Sequence, residues 1–453
     1  MQVTETNAEG LKREFKVVVP AAELDARLVE RLNTLKKDVR IKGFRPGKVP
    51  IAHLRRMFGK STMAEIVQSV LSEVARKTLS ERGEKAASPP DYKLSKEEGA
   101  TDKVLTGNAD LAYTMAYEVL PKVALADFKT IAVERPVVEV SDEAVETQVR
   151  QLAEGARVFT AKQGKAEPGD RVTISYVGKI DGEPFEGGAV DKASVTIGQG
   201  QYLPGFDEQL VGLAAGDEKT VEVTFPDEYP AKPLAGKPAT FDVKVSGVAA
   251  AGPATVDDEL ATRLGVESLQ ALRDTVRHQL QAQFAQASRL KLKRKLLDRL
   301  DEMHALDLPP GMVEQEFETI WRQVSTDLTT AGRTFDDEGT TEEAARAEYR
   351  GIAERRVRLG LVMAEIGERN QITVTEEETQ RALAAQMRQF PGQEEALMEY
   401  YRNNPGAVAG LRAPIFEEKV VDYLLELVKV TDKPVTREEL MRDDDDSPPA
   451  AAS

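Results

Sequence analysis

The sequence predicts a multidomain α+β protein, and three observations carry that prediction. At 453 residues the chain is longer than one hydrophobic core usually serves. Its hydrophobic spacing changes character twice, from mixed α/β to alternating strands and then to helical repeats. Gly- and Pro-rich stretches fall at both changes, at Pro168-Gly169 and at Gly252-Pro253.

Residues 1–112 read as a small α/β unit. Arg13 to Val19 alternates and then turns β-branched, as a strand does, and Asn7-Ala8-Glu9-Gly10 before it suits a hairpin turn. Leu24, Leu28, Leu32 and Leu35 recur at helical spacing. A loop at 41–50 breaks that helix. A second helix pattern runs from Thr62 to Arg82, and Ser88-Pro89-Pro90 stops it. Leu111 to Leu120 reads as a strand that closes the unit. Residues 113–150 mix extended and helical signals around Pro121 and Pro136 and read as a connector.

Residues 151–248 form the strand-rich unit. Val172, Ile174 and Tyr176 alternate, as do Val221, Val223 and Phe225, and Phe241, Val243 and Val245. Frequent turns between such runs predict a compact antiparallel sheet. From 249 to 432 the chain is helical, with patterns over about 257–303, 310–331, 341–370, 375–389 and 405–430. Sparse apolar positions among dense charge predict helices that pack thinly. The last segment, 433–453, contains Asp443 to Asp446 and reads as a disordered acidic tail.

Composition excludes several classes of function. There is no cysteine, so disulfide, thiolate and zinc–thiolate chemistry is absent. His53, His278 and His304 lack metal-ligand spacing, so neither a metal nor a cofactor is expected. No phosphate-binding GxxxxGK[ST] loop occurs, which fits energy-independent action. The N-terminus has no secretory pattern, and no apolar run approaches the roughly 18 residues of a membrane span. A cytoplasmic location without membrane contact is the expectation.

The charge pattern singles out one loop. The chain carries a net charge of −16, yet residues 31–60 hold ten Lys or Arg against the single acid Asp38. Within that island Gly43-Phe44-Arg45-Pro46-Gly47-Lys48-Val49-Pro50 puts an aromatic and basic residues on a helix-broken tip. Basic runs are often plain solvated surface. A sign reversal this local also suits a docking surface for an anionic partner.

The strand-rich unit holds the candidate chemistry. Gly169-Asp170-Arg171-Val172-Thr173-Ile174-Ser175-Tyr176-Val177-Gly178, Pro184-Phe185-Glu186-Gly187 and Ile197-Gly198-Gln199-Gly200-Gln201-Tyr202-Leu203-Pro204-Gly205-Phe206-Asp207 follow in order. With Phe225-Pro226-Asp227-Glu228-Tyr229 and Ala239-Thr240-Phe241-Asp242-Val243, they resemble the FK506-binding-protein (FKBP) type of peptidyl-prolyl isomerase. That resemblance implies aromatic walls from Tyr176, Phe185, Phe206 and Phe241. It implies that the Leu203 N–H meets the substrate carbonyl, with Glu186 and Tyr229 at the rim. This chain has Glu186 where the family usually has Asp, and Phe206 where it often has Trp. Aromatics on alternating strand positions also serve as plain core, and Tyr176 and Phe241 can do both.

The basic loop resembles the ribosome-docking signature of the bacterial trigger factor family, with Pro46 where a Lys is frequent. Leu308-Pro309-Pro310 and Tyr400-Tyr401-Arg402-Asn403-Asn404-Pro405 are similar to that family as well. The resemblance implies that Gly43, Phe44, Arg45, Pro46, Gly47 and Lys48 bind the ribosome near the nascent-chain exit tunnel, on protein and rRNA. It also implies an inserted isomerase unit, a connector packed with the C-terminal helices, and a helical chaperone part with two arms. Nascent and unfolded polypeptides are the implied clients. Met312, Leu328, Met387 and Met398 would meet them, unless they pack helix on helix. Whether the free protein forms a homodimer, as the family commonly does, stays open. Two rivals remain at this point: a stand-alone isomerase with interaction helices, and a protein that binds nucleic acid directly through the basic island.

Overall fold

The computed structural model describes residues 1–41, 44, 48–94, 99–226, 229 and 234–442. They divide into two compact units. One comprises Met1–Pro136, Arg289–Lys433 and Arg442; the other comprises Val137–Ser288 and Pro434–Met441.

In the first unit a four-stranded antiparallel sheet has the order β1-β2-β4-β3. Its strands are β1 (Gln2–Asn7), β2 (Lys12–Val19), β3 (Asp91–Leu94) and β4 (Leu111–Glu118). Period-two burial sends Phe15, Val17 and Val19 inward with Leu111, Tyr113, Met115 and Tyr117. Two helices cover that face. α1 (Ala21–Asp38) brings Leu24, Leu28 and Leu32, and α2 (Ile51–Arg82) brings Leu54, Met63, Ile66, Val70 and Val74. A short α3 (Ala100–Leu105) adds Val104.

Helix α2 starts eleven residues before the predicted Thr62, at the residue after Pro50. Proline at a helix boundary pre-sets the backbone, and buried Leu54 ties the early turns to the core. The helix ends at Gly83 in the left-handed conformation, φ 61°. β4 lies between β2 and β3 and crosses the expected boundary at 112.

The same unit contains a helical core. Strand β5 (Ala132–Val137) lies just before the second unit, whose α4 (Asp142–Gly155), β6–β10, α5 and the start of α6 (Leu269–Met303) intervene in sequence. The end of α6 then joins α7 (Pro310–Ala331), α8 (Glu342–Arg369), α9 (Glu376–Gln389), α10 (Glu394–Asn403) and α11 (Pro405–Leu427). Connector residues Val123, Phe128, Ile131 and Val133 share one core with Leu296, Leu300, Val362, Ile366 and Leu424. Buried His304 staples this packing. Its Nδ1 faces the Leu300 carbonyl at 2.7 Å, and the Ala126 N–H donates to Nε2 at 3.2 Å. β11 (Lys429–Pro434) pairs with β5. Helix α9 opens with a reciprocal cap, in which Thr375 Oγ1 accepts the Glu378 N–H and Glu378 accepts the Thr375 N–H at 2.8 Å.

The second unit has a five-stranded antiparallel sheet of order β6-β10-β7-β8, with β9 also on β10. The strands are β6 (Phe159–Ala161), β7 (Arg171–Ile180), β8 (Glu183–Thr196), β9 (Glu218–Thr224) and β10 (Pro238–Ala251). Its core gathers Val172, Ile174, Val195, Val221, Val223, Val243 and Val245. A separate helical core joins Val145 and Val149 of α4 to Leu260 of α5 (Asp258–Arg263) and to Leu272, Val276 and Phe284 of α6.

Two expectations change here. The helix predicted over 257–303 is broken, because Gly265 turns left-handed at φ 78° and Asp258 caps the new start through the Leu269 N–H at 2.7 Å. The tail predicted from 433 carries α12 (Arg437–Met441), which buries Leu440. Thr436 and Glu439 cap it reciprocally, at 2.9 and 3.2 Å. Asp443 to Asp446 lie outside the described residues.

Candidate active site and docking loop

The sheet of the second unit brings the predicted aromatics together. Tyr176 sits in β7 opposite Val243 of β10, and Phe241 lies two residues earlier on the same face. Their rings meet at 5.7 Å and 75°. Phe206 meets Phe241 at 5.4 Å and 89°, and Tyr176 at 5.9 Å and 70°. Phe185 of β8 closes on Phe241 at 6.1 Å and 88°. Four rings packed edge to face make an apolar, water-poor wall.

Glycine makes the closure of Phe185 feasible. Gly178 pairs with Phe241 across the sheet, and a Cβ there would lie 2.7 Å from both Phe185 Cε1 and Phe241 Cε1. A Cβ on Gly188 would sit 2.8 Å from Phe185. Both positions must therefore stay bare for the ring to lie flat against the strands.

Phe206, the expected floor residue, is carried on a tight loop. Asp207 is buried and accepts the Gly198 N–H at 2.8 Å and the Gly200 N–H at 3.4 Å. Gln209 ties the same loop to β9, donating to the carbonyls of Gly205 and Glu222 at 2.9 and 2.7 Å. The Leu203 carbonyl accepts from the Phe206 N–H at 2.9 Å. Among the described residues no acceptor takes the Leu203 N–H, which leaves it available to a ligand.

Tyr229, expected at the rim, packs on Phe225 at 4.7 Å and donates its N–H to the Pro226 carbonyl at 3.1 Å. Glu186 lies in β8, but its side chain falls outside the described residues. Burial holds the Tyr176 hydroxyl proton on more tightly than usual, with the Tyr202 and Tyr229 phenols adding to the effect. Tyr176 therefore stays a neutral donor. Two further rings join the cluster that sequence reasoning did not single out, Phe225 beside Phe185 at 6.0 Å and Tyr202 on Phe206 at 5.4 Å. Alternation with Val221 and Val223 marks Phe225, whereas nothing periodic marks Tyr202.

Of the docking signature, Phe44 and Lys48 are described and both are exposed; Gly43, Arg45, Pro46 and Gly47 lie outside the described residues. The Phe44 ring rests on His53 of α2, 5.1 Å between centroids. Buried Val49 anchors the loop's return. The basic island is less isolated than its sequence implies. Asp25 pairs with Arg55, Asp102 with Lys60 at 2.9 Å, and Glu65 with Arg31 at 3.8 Å.

The helical part offers a third surface. Trp321 of α7 stacks on Phe335 at 5.0 Å and on Phe317 at 5.9 Å, beneath the Arg346 guanidinium at 4.3 Å. An open groove of about 800 Å³ runs along this face. Phe390, just past the end of α9, and Met398 and Tyr400 of α10 stand exposed, whereas Met312 packs against the helical core. Leu328 and Met387 are half-buried. Among the described residues no group of His, Asp or Glu could hold a metal, and no helix is long and apolar enough to cross a membrane.

Sheet and pocket define an FKBP-type peptidyl-prolyl isomerase domain, and residues 162–246 match the family model "FKBP-type peptidyl-prolyl cis-trans isomerase". Residues 1–152 match "Bacterial trigger factor protein (TF)", and 268–426 match "Bacterial trigger factor protein (TF) C-terminus". The trigger factor of Allorhizobium ampelinum is 54% identical over 98% of this chain and 90% of its own length. That of Brucella abortus is 56% identical over 97% of this chain and 93% of its own. A solved trigger factor chaperone, described for promiscuous substrate recognition in folding and assembly, shares the fold at TM-score 0.55. It is 20% identical and covers 94% of this chain and 99% of its own. The chain belongs to the trigger factor family, as a chaperone that carries a prolyl isomerase domain. Nothing favours the stand-alone isomerase.

Proposed function

We propose that the chain docks on the ribosome near the nascent-chain exit tunnel and holds nascent and unfolded polypeptides. It isomerises their X–Pro bonds in the pocket of Tyr176, Phe185, Glu186, Leu203, Phe206, Tyr229 and Phe241. Residues Gly43 to Lys48 tether it, and the cytoplasm is its compartment. The family likeness supports a homodimer when the protein is free of the ribosome. The supporting observation is the convergence of four rings, Tyr176, Phe185, Phe206 and Phe241, together with a Leu203 N–H that meets no acceptor among the described residues.

Rotation about X–Pro faces a barrier of about 18–20 kcal/mol because the amide is conjugated. The twisted transition state loses that conjugation and carries less charge separation. A dry aromatic pocket favours it over the planar ground state, and the Leu203 N–H steadies the substrate carbonyl. No nucleophile is needed. Lowering the barrier by about 5–8 kcal/mol gives roughly 10⁴- to 10⁶-fold acceleration.

Holding follows different physics. A nascent chain exposes apolar segments before it can bury them. Exposed Phe390, Met398 and Tyr400, and the groove beside Trp321, present apolar atoms among charges that bind such segments weakly and adaptably. The promiscuity described for the solved relative supports the same reading here.

Charge reversal of the tether tests the docking. The double variant Arg45→Glu with Lys48→Glu should lose ribosome co-sedimentation at physiological salt, by about tenfold or more, and retain isomerase activity on a short peptide. Undiminished co-sedimentation would remove the loop from the ribosome contact. Binding to free RNA that falls steeply with salt would favour direct nucleic-acid recognition instead.

A further inference from the structure

The floor ring of the pocket is covered. Phe206 is only 2% exposed, although a prolyl ring must reach its face to stack there. Two of its ring neighbours, Tyr176 and Phe241, come from β7 and β10 and meet it at 70° and 89°. They belong to the fixed sheet. The third neighbour, Tyr202, comes from the loop and lies nearly parallel to Phe206, at 18° and 5.4 Å. A parallel ring at that distance is an offset stack, the arrangement an incoming proline would itself adopt on the floor.

Tyr202 packs against the core of the sheet unit from a loop whose backbone is fixed on either side of it. Gly198, Gly200 and Gly205 bracket it at φ 88°, 60° and 79°. The hydrogen bonds of Asp207 fix its start at Gly198 and Gly200, and those of Gln209 fix its end at Gly205. Tyr202 lies between these anchors, half-buried, and among the described residues no hydrogen bond holds its phenol. The adjacent Leu203 N–H is likewise unpartnered.

We propose that Tyr202 is a ring gate over the prolyl site. In the empty protein its ring occupies the stacking position on Phe206, and an X–Pro peptide enters by displacing it. The proposal rests on the reading of this pocket as the prolyl site. Self-occupation lowers apparent affinity by the fraction of molecules in which the site is open. Only segments that add contacts beyond the proline ring, such as a large apolar X side chain, then compete well. Tyr202 thus weakens the binding of every X–Pro segment by the same factor, so that isolated prolines, which bind least tightly, are the first to go unbound.

The test uses the full chain and cis–trans exchange of the peptide Ala-Leu-Pro-Phe measured by NMR. Tyr202→Ala should lower KM by about 2- to 10-fold, the worth of one offset aromatic stack, and leave kcat within about twofold. Tyr202→Phe keeps the ring and should retain the wild-type KM. An unchanged or raised KM in Tyr202→Ala overturns the gate and makes Tyr202 a wall that touches substrate. In the wild-type protein, saturating peptide should abolish the Tyr202–Phe206 ring cross-peak; its persistence overturns the gate even where the alanine variant folds poorly. Phe206→Ala separates the two readings. If it keeps full activity, the pocket assignment fails; if it abolishes activity while Tyr202→Ala leaves KM unchanged, only the gate fails.

Discussion

The isomerase pocket and the α9–α10 hairpin use aromatic and apolar side chains in opposite ways. In the pocket, Phe206, Phe225 and Phe241 are almost fully buried, and each touches at least two other rings. At the end of α9 and on α10, Phe390, Met398 and Tyr400 are 44%, 41% and 53% exposed. Catalysis of one bond rotation needs a surface whose geometry is set before substrate arrives. Holding many different sequences needs a surface that gives way. The two regions are therefore expected to fail differently under mutation.

Phe206→Ala should break the pocket most severely. Loss of the floor should reduce kcat/KM on a short prolyl peptide by about 100-fold, and the sheet unit should lose about 3–5 kcal/mol. Suppression of aggregation of an unfolded client, followed by light scattering, should stay near wild type. A parallel fall would place the holding surface inside the pocket. Gly178→Ala comes next. Its Cβ would crowd Phe185 and Phe241, which costs about 1–3 kcal/mol and should reduce kcat/KM by about tenfold.

The α9–α10 hairpin should show the reverse pattern. Combined Phe390→Ser, Met398→Ser and Tyr400→Ser changes sit on exposed positions, so each should alter stability by about 0.5 kcal/mol or less in a urea titration. Aggregation suppression should fall by about twofold or more while peptide isomerisation is untouched. Intact suppression would move the holding surface to the groove beside Trp321.

The smallest effect concerns pH. The N–H of Thr375 and the ammonium of Lys419 hold the Glu378 carboxyl down at about 2. Its folded value lies below the usual carboxylate range, so its stabilisation is present above pH 4.5 and is lost as pH falls toward 2. Glu378→Gln should therefore destabilise the helical part at pH 7 and match wild type near pH 2. A constant difference across that range would show that the carboxylate charge is irrelevant to the cap.

Much of this contrast is legible in the sequence. Tyr176, Phe206 and Phe241 could be read because their motifs occur in order, and strand alternation put Tyr176 and Phe241 on inward faces. Tyr202 could not, since its position depends on left-handed turns at Gly198, Gly200 and Gly205 that carry no period. Strand β1 is implied only by the hairpin turn at Asn7–Gly10, and β3 carries no sequence signal, for a related reason. Every residue of β1 is exposed, so no burial pattern distinguishes it from loop. Helix α12 was signalled by Thr436 and Glu439 at capping spacing, but a composition dominated by the following aspartates concealed it.

Periodicity and punctuation determined where most helices and strands run, because burial on one face and backbone preference are properties of neighbouring residues. They also marked the basic island as unusual. Packing decided the rest. Register across β7 and β10 placed Phe241 against bare Gly178, so that Phe185 closes in from β8. Asp25, Asp102 and Glu65 met the basic island from outside its sequence window. Val123 to Val133 joined a core with helices nearly 300 residues away in sequence, reaching Leu424. Such contacts depend on which distant surfaces fit together with least strain and fewest unpaired polar groups, and no local pattern encodes that choice.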